Sequence, residues 1–325
     1  MIRAMRPAFV AVPLVAALAL AACTKTGPQA CPSLERPSAR SQVDAVLVPD
    51  TNQIYALGGA GPQLPLDELW RYSFGACGGW TRLVLPSSPG ARANYAATLD
   101  SMRSRIIYLG GGGSPTNDVW ALDTNRLTFT KLAAVGTPPV QAGAEVAAYD
   151  VQHDRVVYAG IETYALEFGG SEQGQWVFVD GTSLQAPAYG VLDPTRSLML
   201  VLDVAGLHGF SFLLSTWRDL TMSGDVPPAG AELLWDDAAA QLLAVASDGS
   251  VYRGSLDANG SSAVFTAVST TNAPPPRRAF AIAVSGTTLW LSGGLTPSGC
   301  TLDDLWTLDL DSLAWTNVWA ATTCL

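Results

Sequence analysis

The sequence predicts an all-β fold, a six-bladed β-propeller of four-stranded antiparallel blades, from two repeated signals. The first is a short phrase that begins with an aromatic residue and recurs at intervals of 49, 47, 41, 48 and 50 residues. Its six copies begin at Trp80, Phe129, Trp176, Trp217, Phe265 and Trp315. A period of about 40 to 50 residues in a β-rich chain is typical of propellers, in which each repeat forms one blade. Six phrases therefore predict six blades.

The second signal is an Asp that precedes a short polar turn and then an apolar run. It is present in five repeats, as Asp50, Asp100, Asp150, Asp193 and Asp236. The sixth repeat has Ser285-Gly286 in this place. An Asp side chain bonds backbone N–H groups in tight turns, so these residues are interpreted as parts of hairpins and not as catalytic groups.

Each unit has the pattern of four short strands separated by turns. The first strand is small and apolar, as in Tyr95–Leu99. The second follows the Asp turn and ends at a Gly pair, such as Gly58-Gly59. The third opens with an acid, an apolar residue and Trp, as in Glu68-Leu69-Trp70, and the aromatic phrase begins the fourth.

This order of Gly pair, acid-apolar-Trp and Trp-Thr-x-apolar resembles the kelch repeat. Repeats one, two and six match it, whereas repeats three to five lack the paired Gly and the acid-Trp opening. The resemblance covers about residues 40–319 and implies a kelch-type propeller with a central channel. Each repeat is expected to make its own blade, with the sixth closing on the first, at about residues 42–86, 92–135, 144–181, 187–223, 230–270 and 277–319.

The first 22 residues predict an export signal. Arg3 and Arg6 precede an Ala-rich apolar stretch that is shorter than the about 20 residues of a membrane-spanning helix. The sequence Leu20-Ala21-Ala22-Cys23 resembles the lipobox of bacterial lipoproteins, which implies cleavage after residue 22 and lipidation of Cys23. Cleavage at the same place without lipidation, or an uncleaved anchor, are the alternatives.

Residues 23–41 are rich in Pro and Ser and are expected to form a flexible tether before the propeller at 42–325. Thr24 follows the Cys where Asp would favour the inner membrane, so the resemblance implies the outer membrane of the bacterial envelope. The acyl chains would then be the membrane contact, because each buried methylene contributes about 0.8 kcal/mol.

The chain is acidic, with a net charge of −10 that becomes −12 when Arg3 and Arg6 are removed with the signal. Lysine is present only as Lys25 and Lys131, and no basic stripe occurs. Nucleic-acid binding is therefore not expected. The protein is expected to be a monomer whose partner is an envelope protein or a glycan.

Four cysteines remain beside the lipidated one, an even number that suggests two disulfides in an exported chain. Cys300–Cys324 is favoured within the last repeat, and Cys31–Cys77 would fix the tether to the first repeat. Each bond would add about 2 to 4 kcal/mol. Unpaired buried thiols are the alternative.

The sequence offers few residues for metal or cofactor chemistry. Histidine occurs only as His153 and His208, without paired spacing, and no CxxC or G-x-S-x-G motif is present. The copper-oxidase branch of kelch-like propellers needs a His, Tyr and Cys set that is not evident here. No metal, cofactor or catalytic residue is therefore predicted.

Five residues are candidates for ligand binding: Arg92, Tyr95, Arg277, Arg278 and His208. The kelch resemblance implies that Arg at the start of a first strand lines the ligand-binding face, on which loops leaving second strands also lie. Arg suits bidentate capture of carboxylates. A structural role, in which Arg bonds carbonyl groups, is the alternative.

Three classes of function are compatible with these features. A non-catalytic ligand- or protein-binding propeller at the cell envelope is favoured, because no catalytic motif is present. A carbohydrate-active enzyme, epimerase- or lyase-like, would need acid and base groups that converge at one end of the channel. Its candidates are Glu145, Glu162, Glu232, His208 and Arg278. A purely structural envelope lipoprotein is the third class.

Overall fold

The computed structural model describes residues 35–75, 78–111, 117–141 and 145–323. These ranges contain 24 β-strands and two single-turn 3-10 helices, at Pro49–Thr51 and Gly170–Glu172. The predicted all-β class is therefore confirmed. Predicted features of the export signal, the lipidation site and residues up to 34 lie outside the described residues.

The strands fall into six consecutive groups of four, one group for each sequence repeat. The first three groups are β1 (Ala45–Val48), β2 (Gln53–Leu57), β3 (Leu69–Ser73), β4 (Gly79–Leu83), β5 (Ala96–Asp100), β6 (Arg105–Leu109), β7 (Val119–Asp123), β8 (Thr128–Leu132), β9 (Val146–Asp150), β10 (Arg155–Ala159), β11 (Thr163–Glu167) and β12 (Trp176–Asp180). The last three groups are β13 (Tyr189–Asp193), β14 (Leu198–Leu202), β15 (Leu207–Ser211), β16 (Thr216–Gly224), β17 (Glu232–Asp236), β18 (Gln241–Val245), β19 (Val251–Leu256), β20 (Ser262–Val268), β21 (Ala281–Ser285), β22 (Thr288–Ser292), β23 (Leu305–Asp309) and β24 (Ala314–Trp319).

Within each repeat the four strands pair antiparallel in chain order, but the sheets number five where six separate blades were predicted. Repeats four and five share one eight-stranded sheet, because the end of β16 pairs in parallel with β20. The paired segments are Thr221–Gly224 and Ser262–Phe265. Both outer strands are longer than the others, and pairing satisfies backbone groups that a sheet edge would leave unbonded. The six-bladed prediction is thus met in part.

The first strands of the six repeats contact one another in a cycle. Strand β1 contacts β5, and the series continues through β9, β13 and β17 to β21, which contacts β1. Backbone hydrogen bonds accompany these contacts, since Asn94 donates to the Gln42 carbonyl and Gln42 donates to the Ala279 carbonyl. The beginnings of the first strands therefore lie close together.

The Asp turns form as the sequence predicts in repeats two to five, whereas Asp50 of repeat one is exposed within the 3-10 helix Pro49–Thr51. Asp100 accepts a hydrogen bond from the backbone of Arg103, and Asp150 accepts from the backbones of Gln152 and His153. Asp193 makes the same kind of turn. These carboxylates are buried, so their role is to close the hairpins between first and second strands.

The repeated aromatic residues belong to the fourth strands and pack between sheets. Five of them are at most 9% exposed, namely Trp80, Phe129, Trp176, Phe265 and Trp315. Trp217 is half-buried and donates from Nε1 to the Thr163 hydroxyl at 2.8 Å. Burial of each large ring contributes on the order of 1.5 to 3 kcal/mol, which makes the repeated phrase chiefly a core element.

Candidate functional site

A buried Arg before the first strand joins three parts of its own repeat. In repeat one, Arg40 donates from Nη1 to the Gly58 carbonyl at 2.8 Å and from Nη2 to Glu68 Oε2 at 2.6 Å. The same carboxylate oxygen accepts from Trp70 Nε1 at 3.0 Å. The Arg therefore links the Gly pair to the acid-Trp opening of the third strand, which explains why these motifs occur in the same repeats.

Arg92 and Arg277 hold the same place in repeats two and six. Arg92 is 2% exposed, donates to the first carbonyl of its Gly pair at 2.9 Å and lies 3.4 Å from Asp118 Oδ1. Arg277 is 3% exposed and donates to both carboxylate oxygens of Asp304, at 2.6 and 2.9 Å. Since both guanidinium groups are enclosed and bonded, the geometry favours the structural alternative for these two candidates.

A cavity of about 600 Å³ lies where the first strands begin. It is lined by residues of all six repeats, most of them at or just before the first strand. They include Gln42, Asn94, Glu145, Tyr189, Glu232 and Arg278. This volume suits a small molecule.

Part of the cavity wall is polar, because three repeats place a polar side chain at one equivalent register position near the start of their first strands. In the chain these residues are Asp44, which directly precedes β1, Tyr189, which opens β13, and Glu232, which opens β17. Strands β5, β9 and β21 open instead with Ala96, Val146 and Ala281. The six repeats are therefore alike in backbone but differ in the chemistry that they present to the cavity.

Asp44 and Glu232 each bond the first strand of the following repeat. Asp44 Oδ2 accepts from the backbone N–H of Ala97 at 2.9 Å, and Glu232 Oε1 accepts from that of Phe280 at 3.0 Å. The Asp44 side chain is exposed to the cavity, and desolvation by the surrounding repeats raises its pKa to about 7. Burial also raises the pKa of Glu232 well above its ordinary value, and the charge of Asp44 adds to the effect.

Two tyrosines complete this part of the wall. Burial raises the pKa of Tyr189, with the charges of Glu232 and Asp44 adding to the rise and that of Arg278 opposing it. The predicted candidate Tyr95 lines the cavity as well, but its hydroxyl donates to the Leu57 carbonyl at 2.5 Å. The hydroxyl of Tyr95 thus serves the contact between repeats one and two.

Arg278 is the sequence candidate that the structure places at the cavity with its charge accessible. It is exposed, and no described residue forms a hydrogen bond or ion pair with its guanidinium. Glu145, from repeat three, is half-buried in the same wall. Of the five acid, base and cation candidates named for an enzyme, Glu145, Glu232 and Arg278 therefore converge at one cavity.

His208 is not among the residues that line the cavity. Its Nε2 lies 3.0 Å from Asp203 Oδ1 and its Nδ1 lies 2.8 Å from Asp219 Oδ1. Although burial opposes it, hydrogen bonds from the backbones of Gln185 and Ala205 and from His208 hold the pKa of Asp203 below its usual value. These bonds hold the segment before β13 in place. His208 is therefore not positioned to contact a ligand in the cavity.

Sequence reasoning missed Asp44 and Tyr189. Neither belongs to a motif, and Asp44 comes before its strand and not within it. The available signal was positional: counted back from the Gly pair, Asp44 stands where repeat two has the small apolar Ala96. A polar residue at a place that other repeats fill with Ala is a candidate for function, because it is not needed for packing.

Cysteine predictions lie almost wholly outside the described residues. Cys300 is described and has a bonding partner, but Cys23, Cys31, Cys77 and Cys324 are not described. The two disulfides and the lipidation therefore stay predictions. In the described part of the chain, no group of three or more His, Cys, Asp or Glu is placed to hold a metal ion.

Comparison with known proteins supports the fold and leaves the function open. No protein-family model matches the sequence, and no curated protein matches it either. A solved structure described as "Structure of YjhT" is similar, with a TM-score of 0.59 and 13% sequence identity over 87% of this chain and 98% of that chain. At this identity the likeness concerns the fold alone. Together with the four-stranded antiparallel sheets, it fits a β-propeller-like fold.

Within the described ranges, no helix combines the length and the hydropathy that crossing a membrane requires. The apolar stretch that precedes Cys23 is not part of those ranges.

Proposed function

We propose that residues 42–325 form a six-bladed, kelch-type propeller that binds a small ligand in its central cavity. The cycle of contacts among the six first strands supports a closed ring of six units. The bonds that join Arg, Gly pair and acid-Trp in repeats one, two and six support the kelch type. The pairing of β16 with β20 would then be a local junction between two neighbouring blades.

The observation that carries ligand binding is a cavity lined by every repeat, with an Arg278 guanidinium that no described residue pairs. Arg binds carboxylates through two parallel hydrogen bonds. The first strands are edge strands of their sheets, and strand edges present N–H and C=O groups that hydroxyls can bond. The ligand would therefore be a small hydroxylated carboxylate, such as an acidic sugar of an envelope glycan.

Glucuronate and glucose test this ligand class, because the two rings differ by the carboxylate. Calorimetric titration should detect glucuronate binding to the wild type and binding at least about tenfold weaker to an Arg278→Ala variant. Arg126→Ala removes the same charge from an exposed hairpin and should bind like the wild type. Equal affinity of both variants would exclude the role of Arg278. If a wider panel of acidic sugars also failed to bind, the proposed ligand class would be wrong.

A carbohydrate-active enzyme is the second candidate, because Asp44 and Glu232 line one cavity and have raised pKa values. Carboxyl groups with a raised pKa can give and take protons in an epimerase- or lyase-like reaction. Proton NMR of acidic sugars in D2O would detect exchange of carbon-bound hydrogen. Exchange that is lost in Glu232→Gln but kept in a surface control, Asp67→Asn, would establish this function; its absence would leave binding.

Display at the cell envelope is the third part of the proposal, and it depends on the export signal and Cys23. Labelling with an alkyne fatty acid should tag the wild type and leave Cys23→Ser untagged. The tagged protein should sediment with the outer membrane, whereas the variant should be released with the soluble fraction. Mass mapping without reduction would test the pairs Cys300–Cys324 and Cys31–Cys77 in the same preparation. An untagged, soluble wild type would contradict the lipoprotein proposal.

A further inference from the structure

Glu232 is a buried carboxyl group without a cation. Glu232 is only 4% exposed, and its carboxyl accepts a hydrogen bond from the Phe280 backbone N–H at 3.0 Å. Among the described residues, no Lys, Arg or His forms an ion pair with it. A charged carboxylate in such surroundings is costly, and the usual outcome is that the group holds its proton.

Asp44 makes the same kind of backbone bond from another part of the same wall, with its side chain exposed to the cavity. It accepts the Ala97 backbone N–H at 2.9 Å, and no cation of the described residues pairs with it either. Its carboxyl is open to the cavity, whereas that of Glu232 is enclosed. Both carboxyl groups therefore bond one repeat to the next. Because both line the cavity, a change in the charge of either one alters the electrostatic potential there.

The other titratable groups around this pair do not neutralise it. Tyr95 and Tyr108 of repeat two are buried and Tyr189 of repeat four is half-buried, and desolvation raises the pKa of each phenol. Glu145 adds a third carboxyl to the lining, and Arg278 is its only guanidinium among the described residues. Asp44 and Glu232 against this one guanidinium would leave the wall with a net negative charge if both ionised.

We propose that Asp44 and Glu232 form a proton-binding pair in the cavity wall, which removes negative charge from the cavity as the pH falls. The binding of a proton to each group breaks no other bond, because a neutral carboxyl still offers its carbonyl oxygen to the backbone N–H. The consequence for a ligand rests on the proposed function: an anion beside Arg278 would bind together with protons. Its affinity would rise by up to about tenfold per pH unit for each proton taken up.

The titration range follows from the direction of the shifts. Desolvation raises the pKa of Asp44 at the cavity wall to about 7 and that of the enclosed Glu232 well above its ordinary value. Groups with a raised pKa in the folded state stabilise it fully below their unfolded pKa of about 4 and lose that contribution as the pH rises through the folded pKa. The wild type should therefore lose stability relative to variants that are always neutral as the pH rises above about 4, up to about pH 7 for Asp44 and to a higher pH for Glu232.

The test needs no ligand. Urea unfolding of the full chain at several pH values from 5 to 9 would compare the wild type with Asp44→Asn, Glu232→Gln and the double variant. Asn and Gln keep an acceptor oxygen for the backbone N–H but carry no charge. The variants should gain stability relative to the wild type as the pH rises, with the Asp44→Asn difference levelling off above about pH 7.

Asp67→Asn is the matched control, since Asp67 is exposed and lies away from the cavity lining. Its stability curve should stay parallel to that of the wild type across the range. Parallel curves for Asp44→Asn and Glu232→Gln as well would overturn the proton-binding pair. Asp44→Asn alone decides the question if the enclosed Glu232 variants do not fold. A pH-dependent result without glucuronate binding would support the pair and count against the proposed ligand.

Discussion

Arg277 and Arg278 are neighbours of the same chemistry, yet the structure gives them different environments. Arg277 is buried and bonds both oxygens of Asp304, whereas Arg278 opens to the central cavity without an ion pair from the described residues. Successive side chains of an extended segment point to opposite sides, so one residue can serve the repeat and the next the cavity. Both are ligand candidates on the sequence alone, since the sequence does not show which of two neighbouring side chains points toward the cavity.

A pair of Ala variants separates these two environments. Arg277→Ala should lower the free energy of unfolding by about 3 to 5 kcal/mol, because it leaves the Asp304 carboxylate buried without its partner. Arg278→Ala should change it by less than about 0.5 kcal/mol, since it removes an exposed group. Urea denaturation of the two variants beside the wild type provides the measurement. Similar losses in both would contradict the assignment of Arg277 to the fold.

At the scale of the elements, the Gly pairs mark the repeats in which a long loop leaves the second strand. The link from β2 to β3 spans residues 58–68, and the next repeat approaches it closely: Gly59 donates to the Arg92 carbonyl at 2.9 Å. In repeats three to five, short hairpins join the second and third strands, at residues 160–162, 203–206 and 246–250. These repeats depart from the kelch pattern because their second strands are not followed by a long loop of this kind.

Substituting Ala for Gly58 tests this close approach. Its φ is +62°, and an added Cβ would lie 2.4 Å from the Arg92 carbonyl oxygen and 2.6 Å from that of Leu66. Gly286 is the control, with φ +55° and no atom within 4 Å of the added Cβ. Gly286→Ala should cost about 1 to 2 kcal/mol for the backbone conformation alone.

Gly58→Ala should cost at least about 1 kcal/mol more than the control, because backbone atoms of two segments must also move. Thermal and urea unfolding of the two variants give the comparison. Equal costs would mean that the Gly pair serves conformation alone and not the approach of the neighbouring repeat.

On the scale of the whole molecule, contacts between repeats six and one bring the two ends of the repeat array together. Trp290 of β22 is fully buried, and its ring lies 5.3 Å from that of Trp80 and 5.9 Å from that of Tyr72. Gly294 donates to the Arg40 carbonyl at 2.8 Å, which repeats the bond between Gly59 and the following repeat. The last repeat thus meets the first through the same Gly backbone bond that joins repeats one and two, and through an additional aromatic contact.

Hydrogen exchange of a Trp290→Ala variant tests this contact. Loss of the ring should cost about 3 to 5 kcal/mol and lower amide protection in repeats six and one together, since one apolar cluster spans them. Phe265→Ala removes an equally buried ring from the cluster of repeats four and five and should lower protection there. A Trp290→Ala variant that loosened repeat six but left repeat one protected would argue against coupling across this contact.

Local patterns in the sequence are enough to predict the all-β class, the four-strand unit, the Asp hairpins of repeats two to five and the aromatic core, because each depends on residues close together in the chain. Three features depend on contacts between distant parts of the chain and are seen only in the folded structure. They are which Arg is enclosed, how β16 and β20 pair, and which side chains share a cavity. Asp44, Tyr189 and Glu232 are far apart in the chain and belong to no common motif. They meet because equivalent ends of three first strands converge, and only the packing of repeats against one another brings those ends together.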